Sequence, residues 1–440
     1  MQITKKILPK SQVELLIEIP YEELKPYLLS EAEKITLAGF RPGKTPYEIV
    51  KQQIGETKLL NNALPKIFQD TLIETFLKEN LKVIGEPVVD IEKLEHGSSL
   101  TYKATASLLP NVKLGDYKKI IAKKKEIEIK ESEIEKTLCE LRDHKAKEVI
   151  TARAAKNGDV VNIDFNMLFD KIPLEGGQFK NYRIIAGKEI FPKTFNENIA
   201  GMKGGEEKEF DVMYPTEHFD KKLAGKNITF KLKMNQVYER ILPDLNDEFA
   251  NSFGNFDTLK DLKEHIKQII KNDKERNEKE RFEEELLDKL LNLCEFDEIP
   301  DILLDSETNK MLGELEANIS SQGGKFEDYL SHIKKSKEDI KKDFTEQAVK
   351  RVKIALAIKQ IAQIEDIQVE EKEVEDEISS YKSYWANMSY PIPQEIEKKI
   401  KSAEYKNYLK NILANKKVIE KLAEWAQAYG HRAQNKLSII

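Results

Sequence analysis

The 440-residue sequence contains only two cysteines, Cys139 and Cys294, which lie far apart along the chain. So few thiols exclude a disulfide framework and are typical of a reducing compartment. The sequence has no apolar run near the ~20 residues that a membrane-spanning helix needs. Its N-terminus, residues 1–20, also lacks the apolar segment of a secretory signal. We therefore expect a cytoplasmic protein without a membrane partner.

Metal-binding patterns and an excess of positive charge are absent as well. The histidines include no pair at metal-ligand spacing and the cysteines form no CxxC motif, so we expect neither a metal nor a cofactor. Lysine and arginine number 72 against 78 acidic residues, which gives a net charge of -6. A general nucleic-acid-binding protein carries a basic excess, so the sequence disfavours that class.

The length exceeds what one compact core accommodates, since domains usually run to about 100 to 150 residues. The first part, residues 1–112, is predicted to be a small α+β unit. Its predicted elements are a strand at 13–19, a helix at 21–38, a helix from Pro46 to Gly55, a longer helix to Phe76, and strands around 83–89 and 100–108.

Three further parts differ in composition. Residues 113–150 are predicted to be a connector, with a charged helix at 131–147, that packs with the C-terminal domain. Residues 151–242 combine glycine turns with short alternating segments, which indicates a β-rich domain. Residues 243–440 carry helical apolar stripes, interrupted by the charged stretch 271–281, which is predicted to bridge or project into solvent. The predicted fold class is therefore multidomain α+β.

A short motif between the first two predicted helices, Gly39-Phe40-Arg41-Pro42-Gly43-Lys44, carries an aromatic ring and two cations. It is not a phosphate-binding loop, because three residues rather than four separate its glycines and a helix precedes it. It can be a plain helix-to-helix turn. It can equally be an interaction tip, since aromatic and arginine side chains dominate binding hot spots and cations suit phosphates or acidic protein patches.

This motif resembles the ribosome-docking signature of the bacterial trigger factor family. Residues 109–114 resemble the end of that family's ribosome-binding domain. The resemblance therefore implies that residues 1–112 form a ribosome-binding domain. The resemblance also implies that Phe40, Arg41 and Lys44 contact a ribosomal protein at the rim of the polypeptide exit tunnel. Many members have a basic residue in place of the proline in the motif, which implies a lower affinity here.

The glycine-rich part contains two segments, residues 158–165 and 201–206, that resemble FKBP-type prolyl isomerases. The resemblance implies that residues 151–242 form an isomerase domain with a dry apolar pocket. Such a pocket needs no nucleophile, because the twisted transition state of an X–Pro bond is less dipolar than the planar amide. The residues that match the family pocket are Phe165, Leu174, Tyr182, Phe191, Phe195, His218, Phe219 and Phe230. The residues alone also allow a purely structural interpretation, in which these aromatics are the core of a small β domain.

One stretch of this domain departs from the family pattern. Members usually have Ile-Pro-Gly before the aromatic at Phe195, whereas the residues here are Pro192-Lys193-Thr194. A backbone N–H in this stretch holds the substrate carbonyl in FKBP-type enzymes, and Pro192 has none to donate. His218 stands where the family typically has a tyrosine. The resemblance therefore implies a peptidyl-prolyl isomerase of weakened activity.

The helical region resembles the family in order, length and pattern, most closely at residues 242–250. The resemblance implies a body with two arms that cradle emerging chains, so residues 243–440 are the expected client-binding domain. One candidate client contact is the group Tyr381, Tyr384, Trp385 and Met388. Aromatic and methionine side chains form adaptable contact surfaces, but the same group can form the local core beneath the proline-containing break that follows.

The resemblance as a whole implies a ribosome-associated chaperone that holds nascent polypeptides open and isomerises X–Pro bonds. It also implies roles in protein export and cell division. The expected partners are the ribosome at the exit tunnel, nascent and unfolded polypeptides, and a second copy in a weak homodimer. Two alternatives stay open, a free-standing FKBP-type isomerase with helical appendages and a helical scaffold protein with a degenerate isomerase domain.

Overall fold

The structure is a computed structural model that describes residues 1–37, 40–41, 44–94, 99–188, 191–218, 220–387 and 393–437. The chain divides into two compact units. The first unit combines Met1–Lys124 with Lys279–Ile440, and the second is Lys125–Glu278. No helix in the described part of the chain is long and apolar enough to cross a membrane.

The first unit begins with four strands and three helices, which we call the N-terminal lobe. The strands are β1 (Gln2–Leu8), β2 (Gln12–Ile19), β3 (Val83–Leu94) and β4 (Leu100–Leu108). The helices are α1 (Tyr21–Glu33), α2 (Tyr47–Ile54) and α3 (Glu56–Lys78). The strands form an antiparallel sheet in the order β1-β2-β4-β3, which places β1 and β3 at its edges.

Strict alternation on the two central strands builds the core of this lobe. Leu15 and Ile17 of β2 and Tyr102 of β4 are fully buried against α1 and α3, because successive strand residues point to opposite faces. The hydroxyl of Tyr102 lies 2.6 Å from Oγ1 of Thr71 on α3, so the sheet and the helix share a buried hydrogen bond. Gly55 separates α2 from α3 at a φ of 88°, a backbone angle that glycine adopts at little cost.

The second unit is built around an antiparallel sheet. The elements that lead to it are β5 (Val112–Lys113), a 3-10 turn (Tyr117–Lys119) and α4 (Glu131–His144). Its strands are β6 (Lys147–Thr151), β7 (Val160–Phe169), β8 (Ile172–Ile185), β9 (Glu207–Met213) and β10 (Asn227–Ile241). Strand β10 pairs with β7 along one edge and with β9 and β6 along the other, and β7 pairs with β8. The short helix α5 (Lys193–Ile199) buries Phe195 and Ile199.

A separate small core joins α4 to the segment that follows the sheet. Ile134 and Leu138 of α4 pack with Phe249 of α6 (Asp247–Asn251) and with Leu262. Leu262 belongs to the long helix α7 (Leu259–Leu293). The helix therefore begins in the second unit and ends in the first.

The remaining elements of the first unit form what we call the helical body, which also includes the C-terminal end of α7. They are β11 (Glu295–Phe296), α8 (Asp301–Ser321), α9 (Phe326–Ile333), α10 (Lys337–Asp343), α11 (Thr345–Ile364), α12 (Glu371–Asn387), α13 (Gln394–Lys401) and α14 (Ala403–Leu437). The core of the body contains Leu286 and Leu290 of α7, Ile361 of α11, and Val418 and Leu422 of α14. Strand β11 pairs with β5.

The charged stretch 271–281 lies inside α7 and has the extended segment 121–130 beside it. Nζ of Lys274 donates to the carbonyl of Glu128 at 2.8 Å, and the buried carboxylate of Glu278 accepts the N–H of Lys125 at 2.7 Å. Part of this polar surface thus satisfies backbone groups instead of facing solvent. The multidomain α+β fold class predicted from the sequence is confirmed.

Candidate active site and docking tip

The predicted docking tip lies between α1 and α2. Phe40 is 39% exposed, and Arg41 and Lys44 are exposed as well. The N–H of Phe40 donates to the carbonyl of Leu37 at 3.1 Å, and the N–H of Lys44 donates to that of Arg41 at 3.0 Å. The second hydrogen bond therefore joins Arg41 to Lys44 across the turn, while Gly39, Pro42 and Gly43 lie outside the described residues.

The tip carries two positive charges, those of Arg41 and Lys44. Among the residues that the structure describes, Arg41 and Lys44 take part in no ion pair. Helix α1 ends at Glu33, whereas the sequence predicted a helix to 38, so a non-helical segment precedes the tip. An aromatic ring and two exposed cations in one short segment suit a docking contact with an acidic or phosphate-bearing surface.

In the second unit, five of the predicted pocket residues form one aromatic cluster. Phe165 of β7 lies at its centre, and its ring centroid is 5.7 Å from that of Tyr182, 5.8 Å from Phe191, 6.3 Å from Phe195 and 5.7 Å from Phe230. These residues come from β7, β8, α5, β10 and the loop before α5. Antiparallel pairing of β7 with both β8 and β10 brings them together.

A cleft of about 890 Å³ opens beside this cluster. Its lining includes Phe191, Pro192, Lys193, Asn196, Pro215 and His218. Phe191 is the cluster ring on this lining, whereas Phe165, Phe195 and Phe230 are at most 2% exposed. The ring of Phe191 stacks on that of Phe195, with centroids 4.2 Å apart. The buried rings thus support the cleft wall, and Phe191 forms its accessible aromatic part.

The remaining predicted pocket residues divide between core and cleft. Leu174 is half-buried and packs against the core cluster. His218 lines the cleft, its Nδ1 accepts the N–H of Asp220 at 3.2 Å, and its ring meets that of Tyr214 edge-on at 4.9 Å. Phe219 lies outside the described residues.

The segment that differs from the family's Ile-Pro-Gly pattern forms one wall of the cleft, with Pro192 and Lys193 in the lining. Pro192 precedes α5, and its carbonyl accepts the N–H of Phe195 at 2.9 Å. Asn196 ties the neighbouring loop to the helix, since its Oδ1 accepts the N–H of Gly187 at 3.0 Å and its Nδ2 donates to the carbonyl of Lys188 at 3.1 Å. The wall is well ordered by hydrogen bonds, but Pro192 contributes no N–H to it.

Sequence reasoning missed two rings of the cluster and one polar residue. Phe210 stacks on Phe230 at 5.8 Å, and the alternation of buried Phe210 and Val212 along β9 could have revealed it. Phe179 stacks on Phe165 at 4.8 Å. No sequence pattern predicted the role of Asn196, because its amide bonds to a neighbouring loop that only the fold brings near.

A group of exposed and half-buried aromatics lies on the helical body. Tyr381 and Trp385 of α12 have ring centroids 6.4 Å apart, and Tyr384 is 59% exposed. On α14, Tyr405 and Tyr408 have ring centroids 6.1 Å apart. Helices α12 and α14 are in contact, since Nζ of Lys406 on α14 lies 3.8 Å from Oε1 of Glu371 on α12. Met388 lies outside the described residues.

Comparisons with known proteins match almost the whole chain. Family models of bacterial trigger factor match residues 1–141 and, for its C-terminus, 258–424, and the model of FKBP-type peptidyl-prolyl cis-trans isomerase matches 151–239. Trigger factor of Caldicellulosiruptor bescii is 33% identical over 379 residues, which are 86% of each chain. The chain belongs to the trigger factor family. Trigger factor of Carboxydothermus hydrogenoformans is 32% identical over 97% of this chain and 100% of its own.

Membership of the trigger factor family confirms the predicted function. The chain is a ribosome-associated chaperone that carries an FKBP-type peptidyl-prolyl isomerase domain. The N-terminal and C-terminal models of trigger factor match in addition to the isomerase model. A free-standing isomerase and a helical scaffold protein are therefore not favoured. A solved structure of the trigger factor chaperone, studied for promiscuous substrate recognition, covers 97% of the chain at 22% identity and a TM-score of 0.47. A likeness that weak carries no argument.

Proposed function

We propose that the three activities of this chaperone reside in three separate surfaces. The tip of Phe40, Arg41 and Lys44 docks at the rim of the polypeptide exit tunnel. The cleft beside Phe191 isomerises X–Pro bonds, and the helical body holds unfolded chains. The observation that carries the proposal is the tip, where an aromatic ring and two cations are exposed within one short segment that contains two backbone hydrogen bonds.

The isomerase chemistry requires only an apolar wall and few polar groups. Rotation about an X–Pro bond meets a barrier near 20 kcal/mol, because the amide loses its conjugation. The twisted amide is less dipolar than the planar one, so a dry wall such as Phe191 binds it better than the ground state. Since Pro192 offers no N–H, we expect weaker catalysis than in members with Ile-Pro-Gly.

Client holding fits the helical body, because an unfolded chain presents apolar side chains at no fixed spacing. A surface that serves many clients must then offer several weak apolar spots, whose combined effect exceeds each one. Exposed Tyr381, Tyr384, Tyr408 and Ile412 on α12 and α14 are such a spot. Their exposure supports a client contact over a purely local core.

The cellular setting follows the family. We expect action in the cytoplasm on nascent polypeptides, contributions to protein export and cell division, and a weak homodimer. Residues 1–112 serve as the ribosome-binding domain, 113–150 as the connector, 151–242 as the isomerase domain and 243–440 as the client-binding domain.

Deletion of the isomerase domain tests where holding resides. A variant with residues 147–241 replaced by a short glycine–serine linker removes the complete sheet, from β6 to β10. We expect it to suppress aggregation of a refolding client that has no slow proline step, as the parent does, while it loses X–Pro isomerisation. A folded deletion variant that gives no protection would show that holding depends on the isomerase domain.

A further inference from the structure

The N-terminal lobe and the helical body have separate hydrophobic cores. Among the described residues, the two core clusters share no member. Only residues 109–111 connect β4 of the lobe to β5, which pairs with β11 of the body. The orientation of the lobe, and with it the docking tip, therefore depends on contacts at the surface.

The turn between β1 and β2 makes the most extensive of these contacts. Nζ of Lys10 donates to both carboxylate oxygens of Asp301, at 2.9 and 2.8 Å. The backbone N–H of Lys10 donates to Oε2 of Glu298 at 2.6 Å, and the hydroxyl of Ser11 donates to the carbonyl of Glu298 at 2.6 Å. Four hydrogen bonds from two residues thus hold the turn at the start of α8.

This turn has a strained backbone. Lys10 and Ser11 have φ values of 56° and 51°, in the left-handed region that side chains with a Cβ disfavour. Such angles persist where the surroundings hold them and cluster at functional sites. Both strained residues contact Glu298, so the contact with the body itself holds the unusual conformation.

Two further contacts surround the turn. Asn111 donates its N–H and Nδ2 to Oδ2 of Asp297, at 3.2 and 2.9 Å. Ile302 of α8 fits against Gly85 of β3, where an added Cβ would lie 2.1 Å from its Cδ1. A cleft of about 790 Å³, lined by residues of both parts, including Leu81 and Lys82, lies beside them. The interface therefore combines exposed polar contacts with one close apolar contact, and it leaves a cleft open beside them.

We propose that the Lys10–Ser11 turn with Glu298 and Asp301 is a releasable clasp between the N-terminal lobe and the helical body. The side chains of Lys10 and Asp301 are 56% and 57% exposed, and exposed ion pairs are weak and screened by salt. Small polar interfaces between domains permit relative motion. The lobe accordingly has a seated and a released orientation. The movement is independent of the proposed docking role, but its meaning for the ribosome rests on that role.

Distance measurements on the full chain test the clasp. Fluorophores on Lys58→Cys of α3 and Lys359→Cys of α11, in a background of Cys139→Ser and Cys294→Ala, report the separation of lobe and body. We expect one main distance in the parent. The share of a second distance should rise about two- to fivefold in Lys10→Glu, and a salt titration of the parent should have the same effect. Lys10→Glu with Asp301→Lys should restore the parent distribution.

A matched variant separates the clasp from a general loss of charge. Lys5 lies on β1, which leads into the turn, and pairs with Glu79 inside the lobe at 2.8 Å, so Lys5→Glu should leave the distance unchanged. The clasp is overturned if neither Lys10→Glu nor high salt alters the distribution while circular dichroism shows a folded chain. A double exchange that stays as broad as the single variant also contradicts it, because the pair would then not be the cause.

Discussion

The ring of Phe191 stacks on that of Phe195, with centroids 4.2 Å apart and planes inclined by 21°. Phe195 has no exposed surface as a result of its packing with Phe165, Phe191 and Phe230. A substrate that enters the cleft therefore meets Phe191 first. The catalytic contribution of the cluster should accordingly be concentrated in this one ring.

Replacement of Phe191 by Ala should lower kcat/KM for X–Pro isomerisation about tenfold, because the wall that favours the less dipolar amide is lost. Phe191→Leu keeps an apolar wall and should retain most of the activity. A protease-coupled assay with a short proline peptide measures both variants.

The matched control for this prediction is Phe210→Leu. Phe210 belongs to the same cluster but does not line the cleft, so its loss should reduce thermal stability and leave kcat/KM of the folded protein unchanged. Equal activity in Phe191→Ala and the parent would remove Phe191 from the site.

Restoring Ile-Pro-Gly across residues 192–194 should raise the isomerisation rate about three- to tenfold, the effect of one added hydrogen bond to the substrate carbonyl. The change fits the backbone, because it moves the proline to Lys193, the first residue of α5, where proline is favoured. Thr194→Gly alone is the control, since Pro192 still lacks an N–H there. A triple variant that is no faster than the parent would show that Pro192 does not limit the isomerisation rate.

Loss of the exposed tyrosines of the helical body should weaken client holding. Tyr384→Ser with Tyr408→Ser should raise the chaperone concentration needed for half-maximal suppression of aggregation severalfold, since both rings are exposed and support little else. Tyr329→Ser is the control, because Tyr329 is also exposed but lies on α9. Equal effects of the two variants would argue against a specific client contact.

Asp159 should make the isomerase domain sensitive to acid. Burial works to raise the pKa of Asp159, but hydrogen bonds from Arg153, at 2.6 and 3.0 Å, and from the N–H of Lys156, at 2.8 Å, hold it below its ordinary value. A carboxylate with a lowered folded pKa stabilises the fold at pH above its unfolded pKa near 4. That stability is lost as the pH falls through the folded pKa.

Asp159→Asn should therefore destabilise the domain by about 2 kcal/mol at pH 7 and flatten the decline of stability below pH ~4. Chemical denaturation across pH 3 to 7 measures both effects. Glu209→Gln, which removes an exposed pair with Lys231, should change neither. Parallel pH profiles for the parent and Asp159→Asn would contradict the account.

The sequence predicted elements well where local pattern decides them. Strand β4 has the predicted bounds, because Leu100, Tyr102, Ala104 and Ala106 alternate without interruption into the core. The sequence did not predict β1 as a strand separate from β2, because the turn at Lys10 contains neither glycine nor asparagine, the residues typical of hairpin turns. Contacts with Glu298, far along the chain, hold that turn.

The site was predictable in its residue types but not in its layering. Matching segments identified Phe165, Phe191, Phe195 and Phe230, and all four meet in one cluster. The sequence could not tell that Phe191 alone among them would face the cleft. Burial of the others follows from how β7, β8 and β10 pair, which no local pattern encodes.

Co-sedimentation with empty ribosomes tests the central claim most directly. The parent should sediment with ribosomes. A triple variant with Phe40→Ala, Arg41→Ala and Lys44→Ala should lose this binding. Its melting temperature should stay almost unchanged, because the three side chains are exposed. As a control, Tyr329→Ala, Lys325→Ala and Lys334→Ala together remove one aromatic ring and two cations from the helical body and should not reduce binding. A triple tip variant that sediments with wild-type affinity would contradict the account, because the tip would then not be the anchor.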